Sequence, residues 1–93
     1  MGRSQRLSAW PNPFNPQTTI RFEVVQAEDV ALRVFDVTGR LVRTLVREAL
    51  DPGLQELSWN GRNDQGQQLP SGVYMLQLHG GRSVETRRLV LLK

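Results

Sequence analysis

The stretch GVYMLQLHGGRSVETRRLVLLK, residues 72–93, decides the fold class of this chain. In its first half, apolar side chains recur at every second position, at Tyr74, Leu76 and Leu78, which is the period of a β-strand with one buried face. The glycine pair at 80–81 is a two-residue hairpin signal, and a second strand-like segment, SVETRRLVLLK, completes the stretch. The stretch therefore predicts an antiparallel β-hairpin.

Four upstream segments carry the same strand pattern. Each is short, alternating in polarity or rich in β-branched residues, and turn signals such as DVTG (36–39) and DPG (51–53) separate them. The segments are TTIRFEV (18–24), VALRVFD (30–36), RLVRTLV (40–46) and LQELSWN (54–60). None has the period of an amphipathic helix. Strands that recur about every eight to twelve residues predict an all-β fold, an immunoglobulin-like antiparallel β-sandwich of about seven strands.

Length and composition fit one domain. The chain has 93 residues, 39% apolar and 23% charged, which is typical of neither a disordered tail nor a membrane protein. No apolar run approaches the ~20 residues of a membrane-spanning helix, and no signal-peptide pattern follows Met1. The opening MGRSQR is typical of an expression remnant. We therefore interpret residues 1–9 as a remnant or linker and residues 10–93 as the domain.

Charge and cysteine usage narrow the classes of partner. Cysteine is absent, so disulfides and thiolate metal sites are excluded. The formal net charge of +3 raises the question of nucleic acid, but the arginines are scattered and acidic residues lie among most of them. The only dense basic pair is Arg87-Arg88. This distribution indicates solvated strand faces, and we expect no nucleic-acid partner.

A proline-rich segment, WPNPFNPQTTI (10–20), leads into the first of the predicted strands. Proline fixes its own φ and restricts the preceding residue, so this segment should be a stiff ribbon rather than a mobile leader. Asn12 and Asn15 favour local turns through their side chains. Phe14 is the apolar residue within the ribbon, and we expect it to enter one end of the sandwich. The ribbon is then either a rigid cap on an edge strand or a recognition element and spacer.

The order of four motifs resembles a known family. PNPFNPQTTIRF (11–22), VFDVTGRLVRTL (34–45), SWNGRNDQGQQLPSGVYMLQL (58–78) and the terminal LVLLK look like the C-terminal sorting domains of the type IX secretion system. The pattern is also similar to the Ig-like domain of the flagellar hook-capping protein. The resemblance implies a non-catalytic module at the C-terminus of a larger secreted or cell-surface protein. Its implied partners are the outer-membrane secretion or attachment machinery and an upstream domain of the parent.

The ribbon and the final strand are the two features of a folded domain that such machinery could bind. We expect the recognition residues to come from them, namely Pro11, Asn12, Pro13, Phe14, Arg87 and Lys93. A final strand at a sheet edge could pair with a receptor strand, whereas a central strand would only pack. Two other functions stay open. One is a carbohydrate-binding module of a secreted hydrolase, and the other is an assembly module similar to the hook-capping domain.

Residues for catalysis or metal binding are few. A Ser-His-Asp arrangement would have to use His79 with Ser71 or Ser83, and His79 stands at a strand end where a surface role is the simpler interpretation. The loop NGRNDQG (60–66) fails the EF-hand pattern, because Arg62 occupies a ligand position and no glutamate closes the site. We therefore expect no enzyme activity, no tight calcium site and no cofactor.

The two tryptophans bear on the carbohydrate alternative. Exposed aromatic rings could stack on sugar rings, which would favour that function. Trp59 lies in phase with Leu57 in its strand, so we expect it in the core. Trp10 stays a candidate platform.

Overall fold

The computed structural model describes residues 6–92 and contains seven β-strands. The strands are β1 (Leu7–Trp10), β2 (Thr18–Val24), β3 (Glu28–Phe35), β4 (Leu41–Leu50), β5 (Gly53–Trp59), β6 (Gly72–Gly80) and β7 (Ser83–Leu91). They form two sheets, one with the order β1-β2-β5 and one with the order β4-β3-β6-β7, and all the pairings are antiparallel. The predicted all-β, Ig-like sandwich is confirmed.

The core lies between the two sheets and follows the alternation of the strands. In β6, for example, Tyr74, Leu76 and Leu78 are buried while the residues between them are half-buried. On folding, the side chains on one face of each strand are buried, and those on the other face stay at the surface. The most completely buried large side chains are Trp59, Phe14, Phe22, Leu7, Ile20, Leu32, Leu76, Leu78, Leu89 and Leu91.

The hairpin between β6 and β7 turns one residue later than the sequence indicates. Gly80 is the last residue of β6 and pairs with Ser83, so the turn consists of Gly81 and Arg82. Gly80 is buried beneath the Glu28 side chain, and a Cβ atom there would lie 2.7 Å from the Glu28 Oε2 atom. The first glycine of the pair therefore serves close packing, and only Gly81 adopts a positive φ, of 57°.

The sequence predicts a domain boundary at residue 10, but the ordered domain already includes Leu7. Leu7 is fully buried and pairs with Phe22, so Leu7–Trp10 is a strand of the sandwich and not a linker. Arg6 donates to the Glu23 carbonyl and forms a 3.1 Å ion pair with Glu28. A four-residue strand carries too short a pattern to stand out in the sequence. Residues 1–5 lie outside the described residues.

β4 and β7 are the two edges of the four-stranded sheet, and β1 and β5 are the edges of the other sheet. Of the two possibilities for the final strand, the edge position is the observed one. Within residues 6–92, no helix is long and apolar enough to cross a membrane.

Candidate functional site

The entry ribbon, residues 11–16, lies along the outer edge of β7. The Phe14 N–H donates to the Val90 carbonyl, and the Leu92 N–H donates to the Phe14 carbonyl, each at 2.9 Å. These two bonds form a parallel bridge between Phe14 and Leu91. The ribbon thus pairs with the last residues of β7 as a very short extra strand.

The side chain of Asn12 extends this pairing by two more hydrogen bonds. Its Nδ2 atom donates to the Arg88 carbonyl at 2.7 Å, and its Oδ1 atom accepts from the Val90 N–H at 2.9 Å. A carboxamide carries one donor and one acceptor group side by side, as a peptide unit does, so it completes the ladder where proline has no N–H to offer. Asn12 therefore bonds to the far end of the chain rather than to its own turn.

Phe14 inserts its ring into one end of the sandwich, as predicted. It is 1% exposed, and its ring centroid lies 5.5 Å from that of Trp59. Trp59 contacts Tyr74 edge-on at 6.1 Å. The polar atoms of this aromatic cluster are satisfied, since Trp59 Nε1 donates to the Arg62 carbonyl and Tyr74 Oη donates to the Pro70 carbonyl. Burial raises the pKa of Tyr74, and the negative charge of Asp36 adds to this. The prediction that Trp59 belongs to the core is confirmed.

The expected recognition residues have unequal access to a partner. Pro11 and Pro13 are exposed on the ribbon, whereas Phe14 is buried and the Asn12 amide is bonded to β7. Arg87 is half-buried, forms a 2.6 Å ion pair with Glu85 and donates to the Thr86 carbonyl. Lys93 lies outside the described residues. The fold nevertheless joins residues 11–14 to residues 88–92, so the two distant pieces of the expected site form one surface.

The loop at residues 60–69 caps the opposite edge of the same sheet. The Asp64 N–H donates to the Val42 carbonyl, and Asp64 Oδ1 accepts from the Thr44 N–H at 3.1 Å. Asn63 Oδ1 accepts from the N–H groups of Gln65 and Gln67. These oxygens, which could have bound a cation, are engaged in shaping the loop and covering the first half of β4. Among residues 6–92 there is no group of three or more acidic or histidine side chains placed to hold a metal.

His79 has a partner that suits a surface residue. Its Nε2 atom lies 2.6 Å from Gln77 Oε1, on the outward face of β6. In the described part of the chain it forms no hydrogen bond with Ser71 or Ser83. The expectation of no catalytic activity stays a prediction.

Trp10 is exposed to the extent of 43%, but one face of its ring is occupied. The Arg21 guanidinium carbon lies 5.1 Å from the ring centroid, and Arg21 also forms an ion pair with Glu56 at 3.8 Å. A cation over the ring occupies one of the two aromatic faces on which a sugar could stack. This arrangement weakens the carbohydrate-binding alternative.

Sequence reasoning missed the long-range hydrogen bonds that build this surface. The bond from Asn12 to Arg88 spans 76 residues of chain, and no local pattern signals it. The sequence PNPFNP did carry one signal of these bonds. Its prolines lack backbone N–H donors, and its asparagines supply side-chain donors in their place.

Taken together, the two sheets, the capped edges and the aromatic cluster define an Ig-like β-sandwich domain. The model of the FlgD Ig-like domain family matches residues 12–83, and the chain belongs to that family. No curated protein matches the chain in a sequence search.

Solved structures include several similar folds. PorZ, described as an essential bacterial surface component of the type-IX secretion system of Porphyromonas gingivalis, is 25% identical over 94% of this chain, with a TM-score of 0.68. Dimeric latent PorU from the same organism is 19% identical over 92% of the chain, with a TM-score of 0.75. FlgD from Xanthomonas campestris is 17% identical over 92%, with a TM-score of 0.62. The chain spans 11%, 9% and 62% of those three proteins, respectively.

Proposed function

We propose that this domain is a non-catalytic sorting and attachment module of a larger secreted protein, read by machinery of the type-IX secretion system. The supporting observation is the ladder between the entry ribbon and β7, because it joins the first and last of the four motifs into one surface. The similarity to PorZ, a surface component of that system, over 94% of this chain supports the same context.

The physical basis of recognition in this proposal is a preformed surface. Pro11 and Pro13 are exposed on a segment that is held in place by Phe14 and Asn12, so a receptor would order little chain on binding. Phe14 and Asn12 then act by positioning the ribbon, and the exposed prolines and the adjoining end of β7 form the contact.

Export of a reporter tests this proposal. Fusions carrying all 93 residues, or only residues 82–93, are expressed in a host with a type-IX system, and the secreted fraction is measured. We expect export only with the whole domain. The substitutions Lys93→Ala and Arg87→Ala, checked for melting temperature, then measure whether the end of the chain contributes. Equal export of the short fusion would show that a linear tag suffices.

An assembly module is the second candidate, and the FlgD Ig-like family match over residues 12–83 favours it. The described FlgD of X. campestris is linked to hook capping. Assembly would be favoured over sorting if neither fusion leaves the cell and the purified domain self-associates in sedimentation. A monomer that is exported would exclude it.

A further inference from the structure

The outward face of the four-stranded sheet carries an apolar band at one end. Leu41, Phe35 and Met75 are paired across β4, β3 and β6. Val73 and Val90 are paired in the next row, across β6 and β7. Inward neighbours such as Val34 and Leu76 fill the core, so these five side chains point to the solvent side. Leu41 is 44% exposed and Val73 is 36% exposed. We call these five residues the apolar band.

A shallow hollow adjoins the band. It measures about 360 Å³ and is lined in part by Phe35, Asp36, Met75, Gln77 and Thr86. The Asp36 carboxylate there already accepts hydrogen bonds from Thr38 and Arg40. A hollow with apolar walls and a few polar groups offers a place for a side chain of a partner.

Two arginines flank the band without an ion-pair partner among residues 6–92. Arg88 pairs in register with Met75, and Arg33 pairs with Gln77 one row away. The side chains of these two arginines form no ion pair or hydrogen bond with any residue of the described chain. Five other arginines of residues 6–92 have carboxylate partners, namely Arg6, Arg21, Arg40, Arg43 and Arg87. Arg47, Arg62 and Arg82 have none, but they do not adjoin the band.

The outward face of the other sheet lacks this combination. There Arg21 lies between the Trp10 ring and the Glu56 carboxylate, so its charge is already compensated. In the described part of the chain, only the four-stranded sheet presents guanidinium groups without an ion pair beside exposed apolar side chains.

We infer that the apolar band with Arg33 and Arg88 is a docking surface for an acidic, partly apolar segment of another protein. Carboxylates suit the planar donors of arginine, and apolar side chains between them would cover the band. A polyanion fits less well because it has nothing to cover the band. Asp29 and Glu48 share a hollow on the same face with Arg33 and Arg47, so the charge there is mixed, and a uniformly charged chain matches it poorly.

NMR titration of the 93-residue chain tests the inference. The probe is a synthetic peptide of alternating valine and glutamate, compared with the same peptide carrying lysine in place of glutamate and with poly-glutamate. We expect the Val-Glu peptide to shift the amides at residues 33–35, 73–77 and 86–90 and to bind more tightly than either comparison. No binding, shifts that map to another surface, or equal binding of poly-glutamate would each overturn the inference.

Charge variants give the matched control. Arg88→Glu should weaken peptide binding by about tenfold or more. Arg82→Glu makes the same charge change in the turn at the far end of the sheet and should change binding by less than about twofold. An equal effect of the two variants would show non-specific attraction and refute the assignment. Melting temperatures of both variants establish that they are folded.

A second pair of variants tests the contribution of the apolar band to binding. Met75→Thr should weaken binding, whereas Val84→Thr removes an exposed apolar side chain at the other end of the sheet and should not. Unchanged binding by Met75→Thr would refute a role for the band.

Discussion

The carboxamide of Asn12 and the backbone of Val90 are joined by a 2.9 Å hydrogen bond, across 78 residues of chain. The same carboxamide donates to the Arg88 carbonyl at 2.7 Å. An exposed strand edge invites pairing with other chains, and here a side chain and a short ribbon occupy that edge. The ribbon is therefore part of the sheet's architecture as well as a candidate recognition element.

Replacement of Asn12 should loosen this edge. Asn12→Ala removes two hydrogen bonds and should lower the free energy of unfolding by about 1–3 kcal/mol. Urea denaturation measures the loss, and amide exchange at Val90 should accelerate. Asn15→Ala is the matched control, because the Asn15 side chain forms no hydrogen bond within the described chain. Equal losses in the two variants would contradict the role given to Asn12.

Phe14 should be the most costly residue of the ribbon to truncate. Phe14→Ala leaves a cavity beside Trp59 and should lower the free energy of unfolding by about 3–5 kcal/mol. Pro13→Ala should cost only about 0.4–1 kcal/mol, mainly by adding freedom to the unfolded chain. Thermal and urea unfolding measure both. A Phe14→Ala variant that melts with the wild-type domain would refute its anchoring role.

Gly80 and Glu28 should be energetically coupled. A methyl group at position 80 would meet the Glu28 carboxylate and displace it from Arg6. Gly80→Ala should therefore destabilise the wild-type domain. In a Glu28→Ala background it should be neutral, or stabilising by up to about 0.5–1 kcal/mol, since alanine suits a strand better than glycine. A double-mutant cycle by urea unfolding gives the coupling, and strict additivity would disprove it.

Asp36 should make stability depend on pH in the acid range. Hydrogen bonds from the Thr38 hydroxyl and from the Arg40 and Thr38 N–H groups lower the pKa of Asp36 below its ordinary value of 3.8. A lowered folded-state pKa contributes stability that is present above pH 3.8 and is lost as the pH falls through the folded-state pKa. We expect Asp36→Asn to show a smaller loss of stability than the wild type below about pH 4. Parallel acid-unfolding profiles would contradict this.

Calcium should not stabilise the domain. The side-chain oxygens of Asn63 and Asp64 already accept hydrogen bonds from backbone N–H groups, so a bound cation would have to break these hydrogen bonds. The melting temperature should be the same in chelator and in millimolar calcium. A marked rise with calcium would direct attention to these two residues.

The sequence by itself indicated six of the seven strands, β2 to β7, because the period of two is a local property that survives in any register. It predicted a strand over residues 18–24, a turn at DVTG (36–39) and an anchoring role for Phe14. The structure accordingly buries Ile20, Phe22 and Val24 and gives Gly39 a positive φ. Tertiary structure alone decided which edges are free. Two pairings cover edges: residues 12–14 pair with residues 88–92, and Asp64 pairs with Val42 and Thr44. Each joins atoms far apart in the chain through single polar groups, so neither produces a periodic pattern in the sequence. The same holds for β1, whose four residues become a strand only because β2 pairs with them. It holds also for Arg33 and Arg88, whose lack of a carboxylate partner depends on which strands lie side by side.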